Sequence, residues 1–318
     1  MRFLKRFDYD YNFLGKRRIA MTISAVLMAV CILSFLVRGL ELGLDFTGGT
    51  LVEVEYSEAV ELEGIRTALQ ENGFPKAVVQ HFGTAKTVLI RLALIEGGTA
   101  DKAEKEAISS KILAVLKTKG DKFELRRVDF VGPQIGGELV EAGGLAIIYT
   151  LIGILIYVAL RFEYRFAFGA IAALVHDTVI TVGIFSLLGL EFDLTVLAAV
   201  LAVIGYSLND TIVAFDRIRD NFLKMRKRTS EEVINISINQ ILTRTIMTSV
   251  TTSLVLLVLF FVGGELIHGF ATALLIGVIV GTYSSIYIAS ATTLALGISK
   301  ADLMPVEKEG AEFDSQEL

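Results

Sequence analysis

Cysteine and proline are scarce in this chain of 318 residues, and the usual nucleotide and metal signatures are missing. The one cysteine, Cys31, leaves no partner for an intrachain disulfide and no cysteine-rich metal site. It is preceded by Val30 and sits within an apolar run that continues past it, so Met28-Ala29-Val30-Cys31 is not read as a lipoprotein cleavage site. There is no Walker loop, no dinucleotide fingerprint and no HExxH pair. An ATP-driven machine is therefore not encoded, and no catalytic residue, cofactor, metal or nucleic-acid partner is expected. Asp45-Phe46-Thr47-Gly48-Gly49-Thr50 is glycine-rich, but it precedes a strand and not a helix, so a turn capping that strand is expected in place of a phosphate site. His81 and His268 are expected at the surface.

Charge is also missing over long stretches. Ile19 to Val37 contains none and, at ~1.5 Å per residue, can cross a ~30 Å hydrocarbon core. The stretch is too long for a signal peptide and no Ala-x-Ala site follows, so it is read as a retained first span, residues 19–37, after a basic N-terminus, residues 1–18. The chain is 53% hydrophobic yet 20% charged, with mean hydropathy +0.61. A membrane protein carrying one sizeable polar domain satisfies both facts.

That domain is residues 38–141, where the periodicity changes. Thr50–Tyr56 alternates, with Val52, Val54 and Tyr56 on one face and Glu53 and Glu55 on the other. Glu58–Asn72 has helical spacing and stops at Gly73-Phe74-Pro75. Strands are expected at Ala77–Phe82 and Thr87–Leu92, a second helix over about Thr99–Lys119 ending at Gly120, and a last strand at Phe123–Phe130. The order βαββαβ is the ferredoxin-like pattern.

Further apolar runs at about 142–160, 166–188, 194–215, 245–262 and 270–297 bring the spans to six. The fold class expected is thus a polytopic α-helical membrane protein with six transmembrane helices and one extracytoplasmic α+β domain between the first and second. The short loops at 189–193 and 263–268 hold no Lys or Arg. Arg161, Arg165, Arg217, Arg219, Lys224, Arg226, Lys227, Arg228, Lys300 and Lys308 all share a side with Lys16-Arg17-Arg18. The positive-inside rule then places both termini, including a tail at 298–318, in the cytoplasm. Thr229-Ser230-Glu231-Glu232 is a capping-box sequence, and a separate helix over about 230–242 is expected along the cytoplasmic membrane surface.

Ionisable residues inside the spans stand out, since a charge at the bilayer centre costs on the order of 2.5–3.5 kcal/mol even on insertion scales. They are His176, Asp177, Asp210 and Arg244, with Asn209 beside Asp210. Four-residue spacing aligns Gly169, Ala173, Asp177 and Thr181 on one span, Ala202, Tyr206, Asp210 and Ala214 on the next, and Arg244, Thr248 and Thr252 on the fifth. A sealed hydrogen-bond lattice would account for the Thr and Ser residues; buried charges more often mark proton or ion paths. Ala273, Gly277, Gly281 and Ser285 form a small-xxx-small face for close helix packing.

Leu44-Asp45-Phe46-Thr47-Gly48-Gly49-Thr50, Val131-Gly132-Pro133-Gln134-Ile135-Gly136, the long run from Gly205 through Asn209-Asp210 to Arg219, and Arg244-Thr245-Ile246-Met247-Thr248-Ser249 together resemble the SecF members of the SecD/SecF family, within the resistance-nodulation-division superfamily. The resemblance covers essentially the whole chain. It implies a multi-pass subunit of the bacterial inner membrane that pairs with SecD as a heterodimer or larger complex. Such a subunit works beside the SecYEG channel, after the SecA ATPase, on an unfolded preprotein, and draws on the proton-motive force. Asp210 and Arg244 match the family's proton-path residues, and His176-Asp177 falls where the family has a polar pair. No SecD-like half is present in the sequence. Two other classes remain open: half of a lipid or small-molecule exporter of the same superfamily, and a non-conducting translocon scaffold.

Overall fold

The computed structural model describes residues 11–75, 77–92, 102–117, 122–225, 227–299 and 301–303. Helix α1 (Arg17–Arg38) is uninterrupted because its sequence holds no glycine or proline, and it stops at Gly39. After a two-residue strand, β1 (Glu41–Leu42), the glycine-rich segment does not form a simple turn. It makes a one-turn helix, α2 (Leu44–Thr47), closed by Gly48 at φ 68° and leading directly into the sheet. Only residues without a Cβ adopt that backbone cheaply.

The outer domain follows as β2 (Gly49–Tyr56), α3 (Leu62–Glu71), β3 (Val78–Phe82), β4 (Thr84–Leu92), α4 (Lys102–Lys117) and β5 (Phe123–Val131). Residues 99–101 and 118–120, the expected ends of the second helix, lie outside the described residues. The sheet order is β3-β4-β2-β5 with every neighbouring pair antiparallel, which is the ferredoxin-like arrangement. Val52 and Val54 point into a core shared with Ile65 and Leu69 of α3, Ile90 of β4 and Ile112 of α4, whereas Glu53 and Glu55 stay half-exposed on the other face. The alternation read from the sequence is therefore the alternation of the sheet.

Five longer helical runs complete the chain: α5 (Pro133–Arg161), α6 (Tyr164–Leu188), α7 (Leu194–Lys224), α8 (Ser230–Val262) and α9 (His268–Ser284). A second short strand, β6 (Glu191–Phe192), sits between α6 and α7 and pairs in parallel with β1. α9 continues through a π-helical turn, Ser285–Ala289, into α10 (Ser290–Ala295). With α1, six helices among the described residues are long and apolar enough to cross a membrane.

Several helices outrun their apolar stretches. α5 starts inside the segment expected for the outer domain, with Pro133 in its first turn, where a missing N–H costs nothing. The separate surface helix expected over 230–242 does not exist as such. Its capping box is present, but no glycine or proline separates it from the fifth span, so α8 runs unbroken for 33 residues. Val233, Ile234 and Ile238 face inward, buried with Leu14, Phe166, Phe215 and Ile218. Close packing elsewhere depends on missing side chains. Gly183 of α6 lies against Cys31 of α1, Gly277 of α9 against Val203 of α7, and Gly281 against Ser207.

Candidate functional site

The polar centre is built by α6, α7 and α9. Gly169, Ala173, Asp177 and Thr181 occupy one face of α6 and all are buried. Of the stripe expected on α7, Asp210 and Ala214 are buried, but Ala202 is exposed and Tyr206 is half-buried, and Val203, Ser207 and Thr211 face inward instead. The small residues of α9 let α7 approach until Ser207 stands between two carboxylates, one across the interface and one a turn along its own helix.

Asp177 is fully buried and fully engaged. Its Oδ2 accepts hydrogen bonds from Ser207 Oγ at 2.6 Å and Ser284 Oγ at 2.7 Å, and its Oδ1 lies 2.9 Å from His176 Nδ1. One carboxylate thus holds three helices together. Burying it is tolerable because each of its contacts is a hydrogen-bonding group. His176, 2% exposed, leaves Nε2 without a partner among the described residues, and its ring stands 6.1 Å from that of Tyr283. The Tyr283 hydroxyl in turn donates to the Ala20 carbonyl and accepts from Ser24, tying this layer to α1.

Asp210 is the opposite case. It is 5% exposed, and its buried Oδ2 has no hydrogen-bond partner among the described residues. The hydroxyls of Thr181, Tyr206 and Thr211 are also buried without hydrogen-bond partners among the described residues. Ser207 is three residues before Asp210 on the same helix face, so the donor to the engaged carboxylate lies a single turn from the open one. Asn209 lies on the exposed side of α7, and its side chain hydrogen-bonds the Asp210 carboxyl.

Arg244 is at the depth of Asp210. Asp210 lies 14 residues before the end of α7 (224 − 210) and Arg244 lies 14 residues after the start of α8 (244 − 230). The Arg244 charge acts on Asp210, yet no ion pair within 4 Å joins them among the described residues. Arg244 is exposed and borders a cavity of about 480 Å³ with Asp216, Arg217, Asp220 and Gln240. The hydroxyls along α8 are mostly turned back on their own helix. Thr248 donates to Arg244 O and Thr245 O, Thr251 to Met247 O and Thr248 O, and Ser249 meets Thr282 at 2.6 Å. Such back-bonding satisfies a hydroxyl in an apolar span without any chemical role.

Sequence reasoning missed Ser207, Ser284 and Tyr283. A signal existed for the serines: Ser207 is three residues before Asp210, and Ser284 is three after Gly281 on the small-residue face. No cluster of three or more His, Cys, Asp or Glu residues occurs among the described residues. What the arrangement can do is exchange a counter-charge: the Asp210 carboxylate has an open acceptor, and an exposed guanidinium stands nearby at the same depth.

Residues 111–299 match the family described as protein export membrane protein SecD/SecF, C-terminal, and residues 33–60 match the SecD/SecF GG motif. The chain is 53% identical over 306 residues to the protein translocase subunit SecF of Vibrio alginolyticus, spanning 95% of this chain and 96% of that one. It is 46% identical to the SecF subunit of Pseudomonas aeruginosa, spanning 92% and 94%, and 43% identical to that of Escherichia coli O157:H7, spanning 96% and 94%. Among solved structures it is similar to SecDF, a translocon-associated membrane protein from Thermus thermophilus, at 38% identity and TM-score 0.79. The match covers 90% of this chain but 38% of that longer one. A SecDF structure described as a super-membrane-facing form matches over the same share with TM-score 0.66.

Proposed function

The chain belongs to the SecD/SecF family of protein-export membrane proteins, and from that premise we propose that it is the SecF-type half of a proton-driven accessory complex of protein export. In this reading it pairs with SecD beside the SecYEG channel and acts late on preproteins that SecA has driven partly across. Both termini lie in the cytoplasm and the domain at 38–141 lies outside, with 142–297 forming the remaining five spans. The loop-charge asymmetry supports this orientation.

The observation that carries the reading is the contrast between two buried carboxylates on the neighbouring helices α6 and α7. Asp177 is saturated with hydrogen bonds, whereas Asp210 has an acceptor open and a cation within electrostatic but not contact range. A buried carboxylate that is not saturated with hydrogen-bond donors needs a proton or a cation as counter-charge. In the cycle proposed here Asp210 carries a proton while Arg244 is withdrawn, releases it when Arg244 closes in, and α7 and α8 shift with each exchange. Asn209 borders Asp210 on the partner-facing side. The Ser207 hydroxyl provides the step from Asp210 to Asp177 and His176 on the outward side. The two SecDF forms, matched at TM-scores of 0.79 and 0.66, support a fold that occupies more than one arrangement.

The test is gradient-stimulated preprotein export in proteoliposomes holding this chain, SecD and the channel. Asp210→Asn imitates the protonated state and is expected to abolish stimulation with assembly intact. Full stimulation by Asp210→Asn would favour the scaffold reading. Arg244→Lys keeps the charge without the planar fork and is expected to retain part of the stimulation.

A further inference from the structure

We infer that Asp45 is the joint that makes α7 and the outer sheet move as one body, so that displacement at Asp210 reaches the outer domain through a single rod. The inference rests on the proton-driven reading above and names the part that transmits it.

Asp45 lies on α2, the one-turn helix before the paired glycines. Its Oδ2 accepts a hydrogen bond from the backbone N–H of Leu194, the first residue of α7, at 3.1 Å. The local cap of α7 is a different residue, Asp193, whose Oδ1 accepts from Val196 N at 2.8 Å. The first N–H groups of α7 are therefore served by two carboxylates, and one of these comes from a segment that continues into β2. A helix N-terminus offers unpaired donors and favours negative charge, so both carboxylates are well placed.

The path from Asp45 to the sheet has little slack. Gly43 N donates to Phe192 O at 2.8 Å, and the Phe46 ring stacks on Phe192 with centroids 6.1 Å apart. Gly49, at φ 138°, runs so close to the Leu92 carbonyl of β4 that no side chain fits between them. Gly136 of α5 presses in the same way on the Phe46 carbonyl. A second tie crosses the same gap, where Arg91 of β4 pairs with Glu191 of β6. In the other direction α7 is unbroken from Leu194 to Lys224. Asp210 is 16 residues along it (210 − 194), or about 24 Å. A tilt of α7 by about 10° would then carry its outer end roughly 4 Å relative to Asp210, and the sheet with it.

The test uses the complete reconstituted complex with Asp45→Leu and Asp45→Asn, reading gradient-stimulated export and proton flux separately. Asp45→Leu removes the acceptor, and the expected result is export falling to its level without a gradient while proton flux continues at the wild-type rate. Asn offers a carbonyl oxygen to the same N–H and caps helices about as well as Asp, so it is expected to restore stimulation. Retained stimulation in Asp45→Leu overturns the joint. Loss of flux together with export overturns it as well, since Asp45 would then serve the fold or the proton path. Failure of Asn to rescue would rule out the hydrogen bond as the link. A wild-type complex that ignores the gradient refutes the proton-driven reading itself, and the joint with it.

Discussion

Removing the Asp177 carboxylate should unlatch three helices at once, and the structure sets the size of the effect. In Asp177→Ala the hydroxyl of Ser207 and Nδ1 of His176 lose their partner, whereas Ser284 keeps a second acceptor, the Gly281 carbonyl at 3.1 Å. Two stranded buried groups at about 1–3 kcal/mol each give a destabilisation of roughly 2–6 kcal/mol. The corresponding fall in the unfolding midpoint is on the order of 4–12 °C, at about 2 °C per kcal/mol for a chain larger than 150–250 residues. The assay is thermal unfolding of the purified chain in mild detergent, run as a double-mutant cycle with Ser207→Ala. Because Ser207 donates directly to Asp177, the coupling between the two sites should be about 0.5–3 kcal/mol, with the double variant losing less than the sum of the singles. Strict additivity, or an Asp177→Ala variant as stable as the wild type, would refute the latch.

Cysteines introduced at the exposed positions Glu58 and Lys227, in a Cys31→Ser background, should label from opposite sides of the membrane; labelling from one side would overturn the orientation. Gly277→Ala places a methyl group into Val203 and should cost about 1–3 kcal/mol by overpacking, whereas Gly205→Ala, with open space around it, should be neutral or slightly stabilising when both are compared by unfolding in detergent. The chain expressed without a SecD-type partner should be degraded faster than the chain co-expressed with one, measured by pulse-chase; equal half-lives would argue against obligate pairing. The Arg165 guanidinium and Ser299 hold the Asp302 carboxyl below its ordinary value. The contact of the 301–303 turn with α6 should therefore be complete above the ordinary carboxylate range and lost only as pH falls through the lowered value. The protection of the Ser299 amide, which donates to Asp302, reports that loss in hydrogen exchange, and Arg165→Gln should move it to higher pH.

Much of this fold could be read from residue patterns because the patterns are local. The two-residue period of Thr50–Tyr56 and the breaks at Gly73 and Gly83 belong to single elements, and the sheet of the outer domain follows from them. Helix ends were less legible. Hydropathy reports where the apolar run ends, but α5, α7 and α8 continue as helices beyond it, α7 and α8 with no glycine or proline there to interrupt them and α5 in spite of Gly136 and Gly137. Asp210 and Arg244 were conspicuous because ionisable residues are rare in spans. The Asp177 hydrogen bonds were not, because they depend on how α6, α7 and α9 are rotated against one another. A small error in that rotation is what separates Ala202 and Tyr206 of the expected stripe from the buried Val203 and Ser207, while Asp210 and Ala214 belong to both. The role of Asp45 was hidden for a related reason. Its partner Leu194 is 149 residues away and offers a backbone N–H, which leaves no mark on residue type.

The π-helical turn at Ser285–Ala289 sets the angular phase of everything that follows it. Each residue of an α-helix advances by about 100°, and a π turn takes up one residue more than the α-helical pattern around it would. Deleting one residue from 285–289 would leave the phase of the segment beyond nearly unchanged, whereas forcing the same residues into one regular α-helix, with none removed, would swing that segment by about 100°. Thr293, now set against Gly169, would rotate away, and the groove that Gly169 keeps open on α6 would lose its occupant. Ser284, on the near side of the turn, would stay on Asp177. The turn therefore works as a phase shifter: it lets one helix present Ser284 to the polar centre and Thr293 to a glycine notch on the same neighbour, two contacts that an unbroken α-helical register would not align together.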